Sequence, residues 1–213
     1  MYILNTICSI VGIHAHRIGP DRLPFHRERM GTLIERELRI AIHDGLRVFR
    51  VGMNPGADIW TAERIVALRD RHFPDVALHC YLPCETQANH WPEHWREPYF
   101  ALLAQADEVM VLQGRYAKGC MSRRNRMMID GSRTLIAVHD NVADSGIVCA
   151  VNYAESQGIE TVILRPLEGP DALRRPNNAT ELTTGHSPVN KSQVRSTYSA
   201  MFSRGKSAIM RAW

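Results

Sequence analysis

From residue 6 to residue 166 the chain repeats one pattern. A short β-branched or apolar run is followed by a loop, then by a longer stretch whose apolar residues recur at helical spacing. The runs predict strands at 6–13, 47–51, 76–82, 108–112, 134–139 and 161–164. The stretches between them predict helices at 30–44, 60–71, 97–106, 121–131 and 146–157. Leu33, Ile34, Leu38, Ala41 and Ile42 show the spacing, and Gly45 supplies a stop. Regular alternation of strand and helix builds a parallel sheet covered by helices on both faces. The expected fold class is therefore α/β with three layers. In such a sheet ligands sit beyond the carboxyl ends of the strands.

After Pro166 the pattern stops. Residues 168–188 are rich in Pro, Asn, Thr and Gly, and 193–213 are basic with scattered apolar residues. We expect a domain over 1–166 and, over 167–213, a linker with a basic C-terminal extension. Net charge is +4, but 169–213 carry seven Lys/Arg against Asp171 and Glu181, which leaves the rest close to −1. The basic character thus says little about what the body binds. No apolar run reaches the length needed to span a bilayer, and the apolar start lacks the basic flank and cleavage site of a secretory signal. A cytoplasmic protein without a membrane partner is expected.

Five cysteines at irregular spacings argue against a disulfide framework. Cys80, Cys84, His90 and His94 follow the order of a zinc-binding set. Cys80, however, falls inside a predicted strand, and only five residues separate the Cys pair from the His pair. Buried thiols and surface histidines are expected there, with no metal and no cofactor.

The stretch from Arg50 to Glu63 reads as a strand end, a tight loop and the first turn of a helix. Gly52 and Gly56 permit backbone angles that other residues avoid and let the main chain approach a ligand. Asp58 and Thr61 are candidate caps of the helix, whose free N–H groups would favour an anion. The topology places other polar residues at strand ends: His16 and Arg17 after the first, Asn54 and Asp58 after the second, Asp140 after the fifth.

With these segments placed, three motifs resemble the YpsA-like branch of the SLOG superfamily, a Rossmann-like group related to the LOG phosphoribohydrolases. They are the residues from Gly52 to Glu63, from Tyr81 to Gln87 with Trp91 and Trp95, and from Gly119 to Asp130 running on to Asp140. The likeness covers about residues 7–166. Three positions depart from it. Ala15 precedes His16 and Arg17 where the family has glycine. Ser145-Gly146-Ile147 stands where it often has a Gly-Gly-Thr phosphate loop. The Pro-Gly-Gly motif of the LOG enzymes is absent.

The resemblance implies a nucleotide or nucleotide-derived ligand of ADP-ribose-like shape, bound at the strand ends by a sensor or regulatory module. Arg17, Arg123 and Arg124 suit phosphates, whose geometry matches guanidinium forks. Asp58, Glu63, Asp130 or Asp140 suit ribose hydroxyls, and Trp60, Trp91 or Trp95 would stack on a base, with a place in the core as the alternative for Trp60. His16, Gly52, Asn54, Gly56, Asn125 and Gly146 complete the expected ligand set. The alternative is N-glycosidic cleavage, a chemistry that needs a carboxylate near the anomeric carbon, for which Glu63 and Asp58 are the candidates. A homo-oligomer stays open, since the tail could dock on a second subunit. Nucleic acid is not an expected partner, because no helix-turn-helix, zinc finger or RRM signature is present.

Overall fold

The β-branched runs of this sequence lie side by side, and the amphipathic stretches cover them. The computed structural model describes residues 6–18, 22–139, 145–165 and 173–174. In chain order the elements are β1 (Ile7–Gly12), a 3-10 turn (Ala15–Arg17), α1 (Leu23–His43), β2 (Val48–Val51), α2 (Ala57–Arg71) and β3 (Ala77–Leu82). There follow α3 (Glu93–Leu103), β4 (Glu108–Val111), α4 (Cys120–Ile129), β5 (Thr134–Val138), α5 (Ser145–Ser156), β6 (Glu160–Leu164) and β7 (Leu173–Arg174).

The sheet order is β4-β3-β2-β1-β5-β6-β7. The first six strands are parallel, and β7 pairs antiparallel with β6. The α/β Rossmann-like class expected from the alternation is what the chain forms. The central strand β1 pairs on one side with β2, Cys8 opposite Phe49, and on the other with β5, Cys8 opposite Thr134. The strand order reverses there, which makes the carboxyl ends of β1 and β5 the switch point at which such sheets take ligands. Right-handed crossovers running in opposite directions from that point put helices on opposite faces. Accordingly α1 packs on α2 and α2 on α3, while α4 packs on α5.

The core is Ile, Val and Leu of the strands with Phe49 of β2, and Met30, Ile34, Leu38 and Ile42 of α1 and Ile59, Ile65 and Leu68 of α2 beneath them. β5 is buried along its whole length, as a central parallel strand must be. Edge strand β4 is mostly exposed.

Several boundaries differ from the sequence reading. α1 begins at Leu23, with a proline in its first turn where no N–H is needed, and not at residue 30 as the spacing predicts. α3 begins at Glu93 and contains Pro98, whose missing donor falls near the exposed first turn. α2 is preceded by Gly56 without a side-chain cap, so neither Asp58 nor Thr61 caps it. The Thr61 hydroxyl instead donates to the carbonyl of Ala57 inside the helix. β7 had no counterpart in the sequence pattern. The boundary at Pro166 lies outside the described residues.

Candidate functional site

The site is built where β1 and β2 run into the first turn of α2. Gly56 has φ 108°, and a Cβ there would sit 2.7 Å from the carbonyl oxygen of Ile13 and the nitrogen of Ala15. Only glycine fits, and this lets the loop after β2 close on the loop after β1. His14 bridges Gly56, Ala15 N–H donates to Pro55, and Ala57 N–H donates to Ile13. Between the glycines Met53 holds φ 60°, a left-handed conformation unusual for a side chain of its size, in a fully buried position.

Asp58 is 3 % exposed. Its Oδ2 accepts from both the main-chain N–H and the side-chain amide of Asn54, at 3.1 Å each. Its Oδ1 faces Gly12, whose N–H lies near without completing a hydrogen bond. Burial pushes the Asp58 carboxyl up to about 6, against the opposing pull of Arg124 and the Asn54 donors. A carboxyl so placed holds the loop and changes charge near neutrality.

Arg124 comes from α4 and is 2 % exposed. Its guanidinium donates to the carbonyl of Gly52, and at 3.3 Å to that of Tyr81. A Cβ on Gly52 would overlap this group, so the glycine is needed for the approach. Burial lowers the Arg124 pKa, while the nearby Asp58 raises it. Gln87, from the loop after β3, donates at 3.3 Å to the carbonyls of Gly52 and Met53 and to Oδ1 of Asn54. Gly52, Asn54, Gly56, Asp58 and Arg124 are thus brought together, with their polar groups turned largely on one another.

The other expected site residues are placed as follows. His16 and Arg17 are exposed on the 3-10 turn, and His16 Nδ1 lies 2.7 Å from His14 Nδ1. Arg123 is exposed and donates to Gln113 at 3.0 Å. Asn125 is half-buried with its Oδ1 unpartnered. Glu63 is held by Arg27 of α1 at 3.0 Å, on a different side of α2 from Asp58. Asp130 follows the last residue of α4, about 15 Å along the helix from its start. It lies beside the amino end of β5 and accepts from Tyr153 there. Gly146 is in the first turn of α5, and Asp140 lies outside the described residues.

Trp60 is buried against Trp95, and Trp91 packs edge-on to Tyr99, so these rings belong to the core. Cys80 and Cys84 are buried, whereas His90 and His94 are exposed. Among the described residues no group of three or more His, Cys, Asp or Glu is arranged to hold a metal. No described helix is long and apolar enough to cross a membrane.

One feature was not legible in the motifs. The loop after β4 exposes Arg115, Tyr116 and Lys118, next to the exposed Arg123. Its sequence, Gly-Arg-Tyr-Ala-Lys-Gly, offered a signal in the aromatic residue set between two cations.

Comparisons with known proteins bear on this geometry. Residues 27–163 match the YpsA family, described as the YspA SLOG family. A UPF0398 protein of Bacillus pumilus is 30 % identical over 125 residues, 58 % of this chain and 67 % of that one. A UPF0398 protein of Halalkalibacterium halodurans is 26 % identical over 140 residues, 63 % and 72 % of the two chains. Among solved structures, DNA processing protein A of Helicobacter pylori superposes with a TM-score of 0.53 at 17 % identity, covering 92 % of this chain and 81 % of that one.

That protein is described by its binding of single-stranded DNA. Two expectations are corrected by this finding. The reading as a sensor of a nucleotide-derived small molecule, with its N-glycosidase alternative, is withdrawn. The expectation that nucleic acid is not a partner falls with it. On the match over residues 27–163, the chain belongs to the YpsA family of SLOG proteins.

Proposed function

We propose that the carboxyl-end rim of the sheet binds single-stranded DNA through its phosphate backbone. The observation that carries this reading is the charge of that rim. Arg17, Arg22, Arg115, Lys118 and Arg123 are exposed there, against two exposed carboxylates, Glu85 and Glu93, among the described strand-end loops and the first helical turns that follow them. Cations gathered on one edge neutralise phosphates and release condensed counterions, which is the main source of affinity without sequence preference. The fold shared with a protein that binds single-stranded DNA adds support. We place the activity in the cytoplasm, a reading consistent with five free cysteines.

Fluorescence anisotropy with a labelled oligothymidylate, repeated across salt concentrations, tests the proposal. Engagement of three to four phosphates predicts a slope of log affinity against log salt of about −2 to −3. Charge reversal at Arg115 and Lys118 should flatten that slope. A chain cut before residue 169 should still bind. Absence of binding at low salt, or binding lost with the tail and indifferent to Arg115 and Lys118, would refute it.

A further inference from the structure

The loop between β4 and α4 is pinned at its base and bare at its tip. Gln113 ties it down: its side-chain amide donates to the carbonyl of Arg115 at 2.6 Å, and its Oε1 accepts from Arg123 at 3.0 Å. Its main-chain carbonyl takes the N–H of Glu85 from the neighbouring loop at 3.1 Å. The far end is closed by Gly119, at φ 86°, and by the Cys120 N–H donating to Ala117 at 3.0 Å. Tyr116 stands out from this frame with 68 % of its surface exposed, the most of any large apolar or aromatic side chain described as exposed. It makes no hydrogen bond or ring contact with a described residue, and no described carboxylate pairs with Arg115 or Lys118.

Burying an aromatic ring is favourable, so a ring held outward on a fixed loop is available for a flat apolar partner. Cations on both sides select a partner that is also anionic. A nucleobase with its phosphates has both properties. A base inside a duplex does not, since its faces are already stacked.

Resting on the single-stranded DNA reading above, the geometry points to Tyr116 as a base-stacking subsite, with Arg115 and Lys118 contacting the phosphates on either side of the stacked nucleotide. The subsite reads no sequence, because every base has a π-face. It discriminates by strandedness: single-stranded DNA can lay a base on the ring, and duplex DNA cannot.

The test uses the full chain with Tyr116→Ala and Tyr116→Trp, each checked by circular dichroism. Binding is measured to a labelled oligothymidylate and to an abasic oligomer of equal length. Tyr116→Ala should weaken binding to oligothymidylate by about tenfold, with the salt slope unchanged. On the abasic strand wild type and Tyr116→Ala should bind alike. Tyr116→Trp should restore affinity, with indole emission quenched as DNA binds. Equal affinity of wild type and Tyr116→Ala for oligothymidylate, while Arg115 and Lys118 variants still weaken it, would overturn the subsite and leave the DNA reading standing. An equal loss on the abasic strand would overturn it as well. Failure of the wild type to bind either strand would remove both.

Discussion

Arg124 of α4 donates its guanidinium to the main-chain carbonyl of Gly52 at the end of β2, across seventy-two positions of sequence. The same group reaches the carbonyl of Tyr81 in β3 and lies close enough to Asp58 to oppose the effect of burial on its carboxyl. One buried cation therefore holds two strand ends and a helix start in register.

Removing that cation takes a charged donor from the buried carbonyls of Gly52 and Tyr81, of which Gly52 keeps Gln87, and leaves Asp58 without its countercharge. Arg124→Ala should lower stability by about 1.5–3 kcal/mol, the range for a lost hydrogen bond from a charged donor. Arg124→Lys should recover only part of it, because an ammonium lacks the planar fork. Urea denaturation followed by circular dichroism measures both.

Gly52→Ala places a methyl where the guanidinium lies, so it should destabilise strongly in the native chain. In an Arg124→Ala background the obstruction is gone, and the same change should be nearly neutral. A double-mutant cycle reads this as a coupling of about 1–3 kcal/mol. Additive effects would show that the two residues do not meet. Gly45→Ala is the control: its φ is 89° with nothing within 4 Å, so it carries only the backbone term of about 1–2 kcal/mol.

Asp58 gives a pH dependence of defined sign. Its carboxyl ionises at about 6 in the folded chain, against 3.8 for the unperturbed group. The folded state thus binds a proton more tightly than the unfolded state between those values. The resulting penalty on folding is full above pH 6, declines as pH falls, and vanishes below about 4. At about 1.4 kcal/mol per unit, the wild type should gain about 3 kcal/mol relative to Asp58→Asn across that window. Denaturant titrations of both proteins from pH 4 to 7 give the difference, and a difference that does not vary with pH would contradict the placement.

Glu63 should behave as a surface charge. Its partner Arg27 has 59 % of its side-chain area exposed, and Glu63 itself 32 %. Glu63→Gln should change stability by less than about 1 kcal/mol, and leave DNA affinity unaltered. Thermal melts and anisotropy check the two halves of this statement.

The layers were legible in the sequence because period is a local property. β-branched runs such as Thr134–Val138 and the spacing of Leu38, Ala41 and Ile42 declare strand and helix without reference to the rest of the chain. The inward turn of Arg124 was not legible. An arginine in a polar helix reads the same whether it faces water or the Gly52 carbonyl, and only strand order decides which. Asp130 shows the same limit from the other side. It belongs to a motif that begins at the strand-end rim, yet a ten-residue helix carries it to the opposite end of the sheet. Tyr116 was passed over because it lies between the motifs, where resemblance gives no reason to look.

The position of β1 has a consequence for how the molecule comes into being. The strand is made before the rest of its sheet, yet one of its two neighbours, β5, begins at Thr134. The half of the sheet from β1 to β4 can zip up from sequential neighbours as the chain emerges. The other edge of β1 must wait for more than half the chain, and pairing over such separations is slow. A nascent chain that has not yet reached β5 presents an apolar strand edge and no switch point, so the ribosome-bound intermediate is the species most in need of shielding from aggregation.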